Sequence, residues 1–181
     1  MGTAREPQPV KLVVSLLTGE LGLLGRARES LSAVFGAVDF ASELLPFEHT
    51  DYYAAEFGPG LQRQIITFEQ LIPPMTLPAI KRQTNDLEWS FAEADRRRIN
   101  VDPGYLSLNK LVLATTKDHA HRLYLGHGIY GEVTLSYQRG HFRPWPWTYP
   151  DYGSERYCLL FEQLRVRYRL QLRALAEEAG I

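Results

Sequence analysis

The side chains able to do chemistry cluster at strand ends and turns. In Arg98-Ile99-Asn100-Val101-Asp102 the apolar pair Ile99 and Val101 points one way, and Arg98, Asn100 and Asp102 share the other face. A second alternating run places Ile129, Val133, Leu135 and Tyr137 on one side, and Tyr130, Glu132, Thr134 and Ser136 on the other. Lys81, Asn85 and Glu88 stack along a helix beside its apolar face. Tyrosine-rich turns add Asp51 and Tyr52 in Thr50–Glu56, and Tyr149 and Asp151 in Thr148–Tyr152. Carboxylates beside Lys and Arg suit a divalent ion and a phosphate together, because the ion needs oxygen ligands and the phosphate needs cationic donors. On this reading Asp51, Asp102 and Glu132 act as base or hold the ion. Lys81, Arg98, Lys117 and Arg122 neutralise the anion, with Tyr52 and Tyr149 alongside; Asp102 and Glu132 are the expected ligands for a cofactor such as Mg²⁺. A solvated sheet face or an internal ion-pair network has the same one-dimensional pattern.

Other motifs fail on spacing. The glycines of Gly19-Glu20-Leu21-Gly22-Leu23-Leu24-Gly25 recur every third residue, which is neither the dinucleotide fingerprint nor a P-loop. In Thr116-Lys117-Asp118 the aspartate comes one place too early for a guanine-reading motif. There is no Gly-x-Ser-x-Gly, and Cys158 lies beside the seam of the last helix, where packing explains it. His119 and His121 can share a strand face, the minimum for a two-ligand metal site, although a solvated loop beside Asp118 accounts for them as well.

The elements that must position these residues follow from periodicity. Val10–Leu17 is a nearly continuous apolar run, as in a central strand buried on both faces. Thr18 is then placed to cap a helix with a face of Leu21, Leu24, Ala27, Leu31, Val34 and Phe35, closed by Gly36. Strands are expected over 39–47 and 61–71. A helix follows Pro78, with Ile80, Thr84, Leu87 and Phe91 on one face. Residues 98–102 read as a strand stopped by Pro103-Gly104, and 108–115 as another. His127-Gly128 turns a hairpin between 122–126 and 129–137, and 139–152 reads as a Pro- and Trp-rich loop. Tyr157, Phe161, Leu164, Tyr168, Leu172 and Leu175 form the seam of a final helix. The order strand-helix-strand-strand-helix-strand predicts an α+β fold. Its core is ferredoxin-like and split, extended by further antiparallel strands and a long C-terminal helix. Residues 1–9 read as a loose tail and 10–181 as a single domain.

The 181 residues are 45% apolar and 23% charged, a globular composition. The net charge of -1 excludes binding of nucleic acid or membrane by bulk charge. A single cysteine excludes an intrachain disulfide and fits a reducing cytoplasm. No run approaches the roughly 20 apolar residues of a membrane span, and the first ten residues lack a signal-peptide core.

Several blocks carry a resemblance: Phe47–Gly58 (FEHTDYYAAEFG), Ile80–Glu88 (IKRQTNDLE), Arg97–Leu106 (RRINVDPGYL), Lys110–Leu135 and Trp147–Tyr152 (WTYPDY). The chain resembles a prokaryotic family of unknown function, domain-of-unknown-function family 4416, from residue 10 onward. It has Phe57 where the family pattern has Met. Some members are labelled GTP-binding; the resemblance brings no established catalytic residues. The leading expectation is an enzyme or binding protein for a small anionic ligand of phosphate or nucleotide type. An interaction or structural module is the alternative, its partner surface or homo-oligomer contact built from the last helix and the Trp145–Tyr152 loop. A third is an RNA-associated protein using Arg96-Arg97-Arg98 and the Arg165, Arg169, Arg173 face, which Glu155, Glu162, Glu177 and Glu178 dilute.

Overall fold

The computed structural model describes residues 2–47, 57, 60–178 and 180. Asp51 and Tyr52 lie outside these residues. Among the described residues the chain forms nine strands, β1 Val10–Thr18, β2 Val38–Ala41, β3 Leu45–Pro46, β4 Gln62–Ile72, β5 Asn100–Leu106, β6 Lys110–Thr115, β7 Leu123–Gly126, β8 Ile129–Gln138 and β9 His141–Pro144. Three helices join them: α1 Leu21–Phe35, α2 Leu77–Ser90 and α3 Glu155–Glu178. The strands build one open antiparallel sheet in the order β2-β4-β1-β5-β6-β8-β7, with β3 beside β4 and β9 beside β8. Its first four positions are the split ferredoxin-like arrangement; β6 to β9 extend it. The fold class is α+β, and no helix among the described residues is long and apolar enough to cross a membrane.

β1 is apolar throughout because both its faces are covered. Leu12, Val14 and Leu16 meet α1 through Leu23, Leu24, Ala27 and Leu31, and meet α2 through Ile80. Val13, on the opposite face, joins Ile65, Leu106, Leu111 and Leu135 beneath Tyr157, Phe161 and Leu164 of α3. Each such side chain contributes about 1.5–3 kcal/mol when fully buried, which holds three layers together. The α3 seam is buried only as far as Tyr168; Leu175 is exposed because the helix runs past the sheet.

Local readings shift in five places. Thr18 does not cap α1: Glu20 holds the cap position, and the Thr18 hydroxyl closes a turn by accepting the Glu20 N–H at 3.0 Å. The strand expected over 39–47 divides into β2 and β3 around Ser42, whose N–H bonds the Ile65 carbonyl. β5 runs through Pro103-Gly104, because β6 pairs with it only from Gly104 onward and proline's missing donor is not needed there. Alternation in β8 breaks at a bulge between the Leu111–Leu135 and Val112–Val133 pairs. Val133 therefore packs on the α2 side, while Leu135 and Tyr137 turn to the α3 side, the side of Glu132's neighbour Leu113. Finally, the loop over 139–152 begins with β9, reached through Arg139 at φ 51° and Gly140 at φ 91°.

Candidate functional site

Polar side chains gather on the α3 face of the sheet at the end where β1 stops. Cross-strand register puts Ser15 opposite Ile65 and Asp102, and Leu17 opposite Arg63 and Asn100. Beyond β6 the next register line runs from Gly104 through Leu113 to Glu132. One face thus carries Arg63, Asn100, Asp102 and Glu132 from three different strands.

Lys81 reaches this face from α2. Its Nζ donates to Asp102 Oδ1 at 2.7 Å and to the Val101 carbonyl at 3.4 Å, while Asn100 Nδ2 donates to Asp102 Oδ2 at 2.5 Å. Desolvation, the strongest single influence on Asp102, would raise its pKa. The Lys81 charge, the hydrogen bonds from Lys81 and Asn100 and the Arg63 charge outweigh it and hold the carboxyl below its ordinary value. Glu88, one helical stripe along, accepts the Val101 N–H at 2.7 Å and pairs with Arg97 at 2.7 Å. Burial dominates there and pushes its carboxyl up.

Arg63 is the centre of a neighbouring group. Its guanidinium pairs with Asp151 and lies over the rings of Phe47, 4.7 Å away, and Tyr152, 5.1 Å away. Desolvation alone would lower its pKa, but Tyr152 and Asp151 reverse the direction and raise it. Arg63 Nε and the Tyr157 hydroxyl are buried and, among the described residues, have no well-formed hydrogen-bond partner beyond each other.

A third group surrounds Glu132, whose Oε2 accepts from Arg122 Nε at 2.9 Å and meets His121 Nε2 at 3.0 Å. Arg122 also donates to the Tyr149 hydroxyl at 3.2 Å and to the Lys117 carbonyl at 3.0 Å. Glu132 Oε1 is buried and unpartnered among the described residues. His119, His121, Trp147 and Trp145 stack in sequence, with centroids 5.9, 5.4 and 5.2 Å apart.

The expected residues therefore meet in two separate groups. Lys81 joins Asp102; Arg122 joins both Glu132 and Tyr149, with Lys117 entering through its backbone carbonyl. Arg98 stands apart, clamping Glu20 before α1 and meeting Glu93 at 3.1 Å. Among the described residues no three His, Cys, Asp or Glu side chains come together as a metal site; Asp102 and Glu132 each face a cation of the chain. Cys158 is half-buried, and burial pushes its thiol up, away from a nucleophile's range. Periodicity missed Arg63, although its register signals it: Arg63, Ile65 and Thr67 alternate on a strand buried on both sides, where a charge must find a partner. Lys11, inside the apolar run of β1, gives the same signal and is held by Asp39, Gln171 and the Phe68 carbonyl at 2.6–2.8 Å.

No curated protein and no solved structure matches the chain. The family model described as "Domain of unknown function (DUF4416)" matches residues 8–168. The match takes in every residue named in the three polar groups, and the chain belongs to that family.

Proposed function

We propose that the chain binds a small anionic ligand of phosphate type, nucleotides included, on the α3 face between β4, β5 and the segment leading into α3. The observation that carries this reading is that Arg63 Nε and the Tyr157 hydroxyl, both buried within one aromatic and charged group, have no well-formed hydrogen-bond partner among the described residues beyond each other. A buried donor without a partner costs about 1–3 kcal/mol, and folded chains retain such groups where water, an ion or a ligand completes them. Two donors together call for an acceptor, and a phosphate oxygen is the strongest that biology supplies. Lys81 lies on the far side of Asp102 and adds positive charge; Arg122, Lys117 and Tyr149 supply a second cationic edge. A divalent ion such as Mg²⁺ enters this reading only as a companion of the ligand's phosphate, since Asp102 and Glu132 are already paired with Lys81 and Arg122. A reducing, cytoplasmic setting agrees with the single, unpaired Cys158.

Thermal unfolding in the presence of inorganic phosphate, pyrophosphate, sugar phosphates and nucleotides, with and without Mg²⁺, tests the reading. A ligand at 100 times its dissociation constant adds about 2.7 kcal/mol of stability. Tyr157→Phe removes a hydroxyl whose one neighbouring polar group is Arg63, so it changes the unliganded stability little and loses much of the ligand-induced shift. No shift with any of these anions, or an undiminished shift in Tyr157→Phe, rejects the reading.

A further inference from the structure

The free edges of the sheet are not alike. A strand edge left open recruits another strand, and monomeric proteins guard against this with charges, prolines or a covering segment. β2 carries Asp39, which points inward to Lys11 and Thr67; β3 ends in Pro46; β9 carries Arg143 and Pro144. Between β9 and β7 the edge of β8 is capped, because the Trp147 indole N–H donates to the Val133 carbonyl at 3.1 Å and the Thr148 hydroxyl donates to the Thr134 carbonyl at 2.6 Å. β7 has a bulge between its Tyr124–Tyr130 and Gly126–Ile129 pairs but, among the described residues, no charge, proline or covering segment. Leu123-Tyr124-Leu125-Gly126 contains no charge and no proline, and stands last in the sheet. Its three large side chains are 73%, 63% and 41% exposed.

We propose that β7 pairs antiparallel with β7 of a second copy of this chain, joining two sheets across a twofold axis. A twofold contact sets a strand against itself, so any charge on it would face its like; an uncharged strand meets no such repulsion. The guarded opposite edge explains why the assembly stops at two, since a second open edge would propagate a fibre. Leu123 and Leu125 add apolar area on one face and Tyr124 on the other. Four residues a side make a contact smaller than the roughly 1,200 Å² of a durable interface, so the pairing depends on concentration.

Sedimentation velocity of the full chain, from low micromolar to near-millimolar protein, reads the mass directly. The unaltered chain is expected to double its mass as concentration rises, and Leu123→Lys, which restores an edge charge at an exposed position, to stay single. Hydrogen exchange of the unaltered chain supplies a second readout, with amides of 123–126 slowing only at high concentration. A single mass throughout, a Leu123→Lys variant that pairs equally well, or growth beyond two copies would overturn the proposal.

Discussion

At the scale of single residues the site is governed by carboxylates with opposed protonation behaviour. Asp102 is held below its ordinary 3.8, so the folded chain binds fewer protons there than the unfolded chain does. Stability from this group is complete above that value and is lost as pH falls through the lower, folded one. Glu88 is raised above 4.5 by burial, so its ionisation opposes folding and stability declines as pH rises through its folded value. Asp102→Asn is expected to cost about 1–3 kcal/mol at neutral pH, because it removes the charge opposite buried Lys81 and leaves one acceptor oxygen for two donors, Lys81 and Asn100. The variant should also lose less stability than the unaltered chain when the pH is lowered below 4. Urea unfolding across that range checks both statements, and parallel acid limbs for the two proteins would refute the second.

At the scale of elements, close backbone approach decides which glycines matter. A Cβ at Gly104 would stand 2.3 Å from the Val112 carbonyl oxygen and 2.7 Å from Leu113 Cδ2, so β5 and β6 would have to part. A Cβ at Gly131 would meet Leu125 at 2.8 Å, but that contact is the far end of an exposed, flexible side chain. Gly104→Ala is therefore expected to destabilise by about 1–3 kcal/mol or more, and Gly131→Ala by less than about 1 kcal/mol. Equal melting temperatures for the two variants would show that the β5–β6 contact yields more easily than this geometry implies. The same crossing explains how Asp102 serves the site: β6 pairs only from Gly104 onward, leaving a gap through which Lys81 reaches the α3 face.

At the scale of the molecule, α3 and the segment before it are tied to the sheet by buried charge as well as by apolar packing. Arg63 on β4 and Asp151 before α3 are far apart in the chain, and both are nearly excluded from solvent. Arg63→Met is expected to cost about 3–5 kcal/mol by stranding Asp151, whereas adding Asp151→Leu should recover most of the loss. Equilibrium unfolding of both variants measures the coupling; costs that simply add would mean the pair does not act as a unit. Lys11 does similar work at the other end of the helix, through Gln171.

Periodicity alone determined the α+β class, the central position of β1, the hairpin at His127-Gly128 and the final helix. Each rests on a local pattern: a doubly buried run, a turn that accepts positive φ at 56° and 75°, or a repeating apolar seam. It also picked out Lys81 with Asp102 and Arg122 with Glu132 as polar residues needing partners, though not which partner each takes. Only the tertiary structure decided that, because the choice depends on strands brought side by side from distant parts of the chain. Arg63 enters the site through the register of β4 against β1, and Glu132 shares the side of Leu135 because a bulge moves β8 by one residue. Arg98 leaves it because its guanidinium finds Glu20 at the head of α1. A one-residue change of register exchanges the two faces of a strand, and nothing local to β8 marks where that change falls.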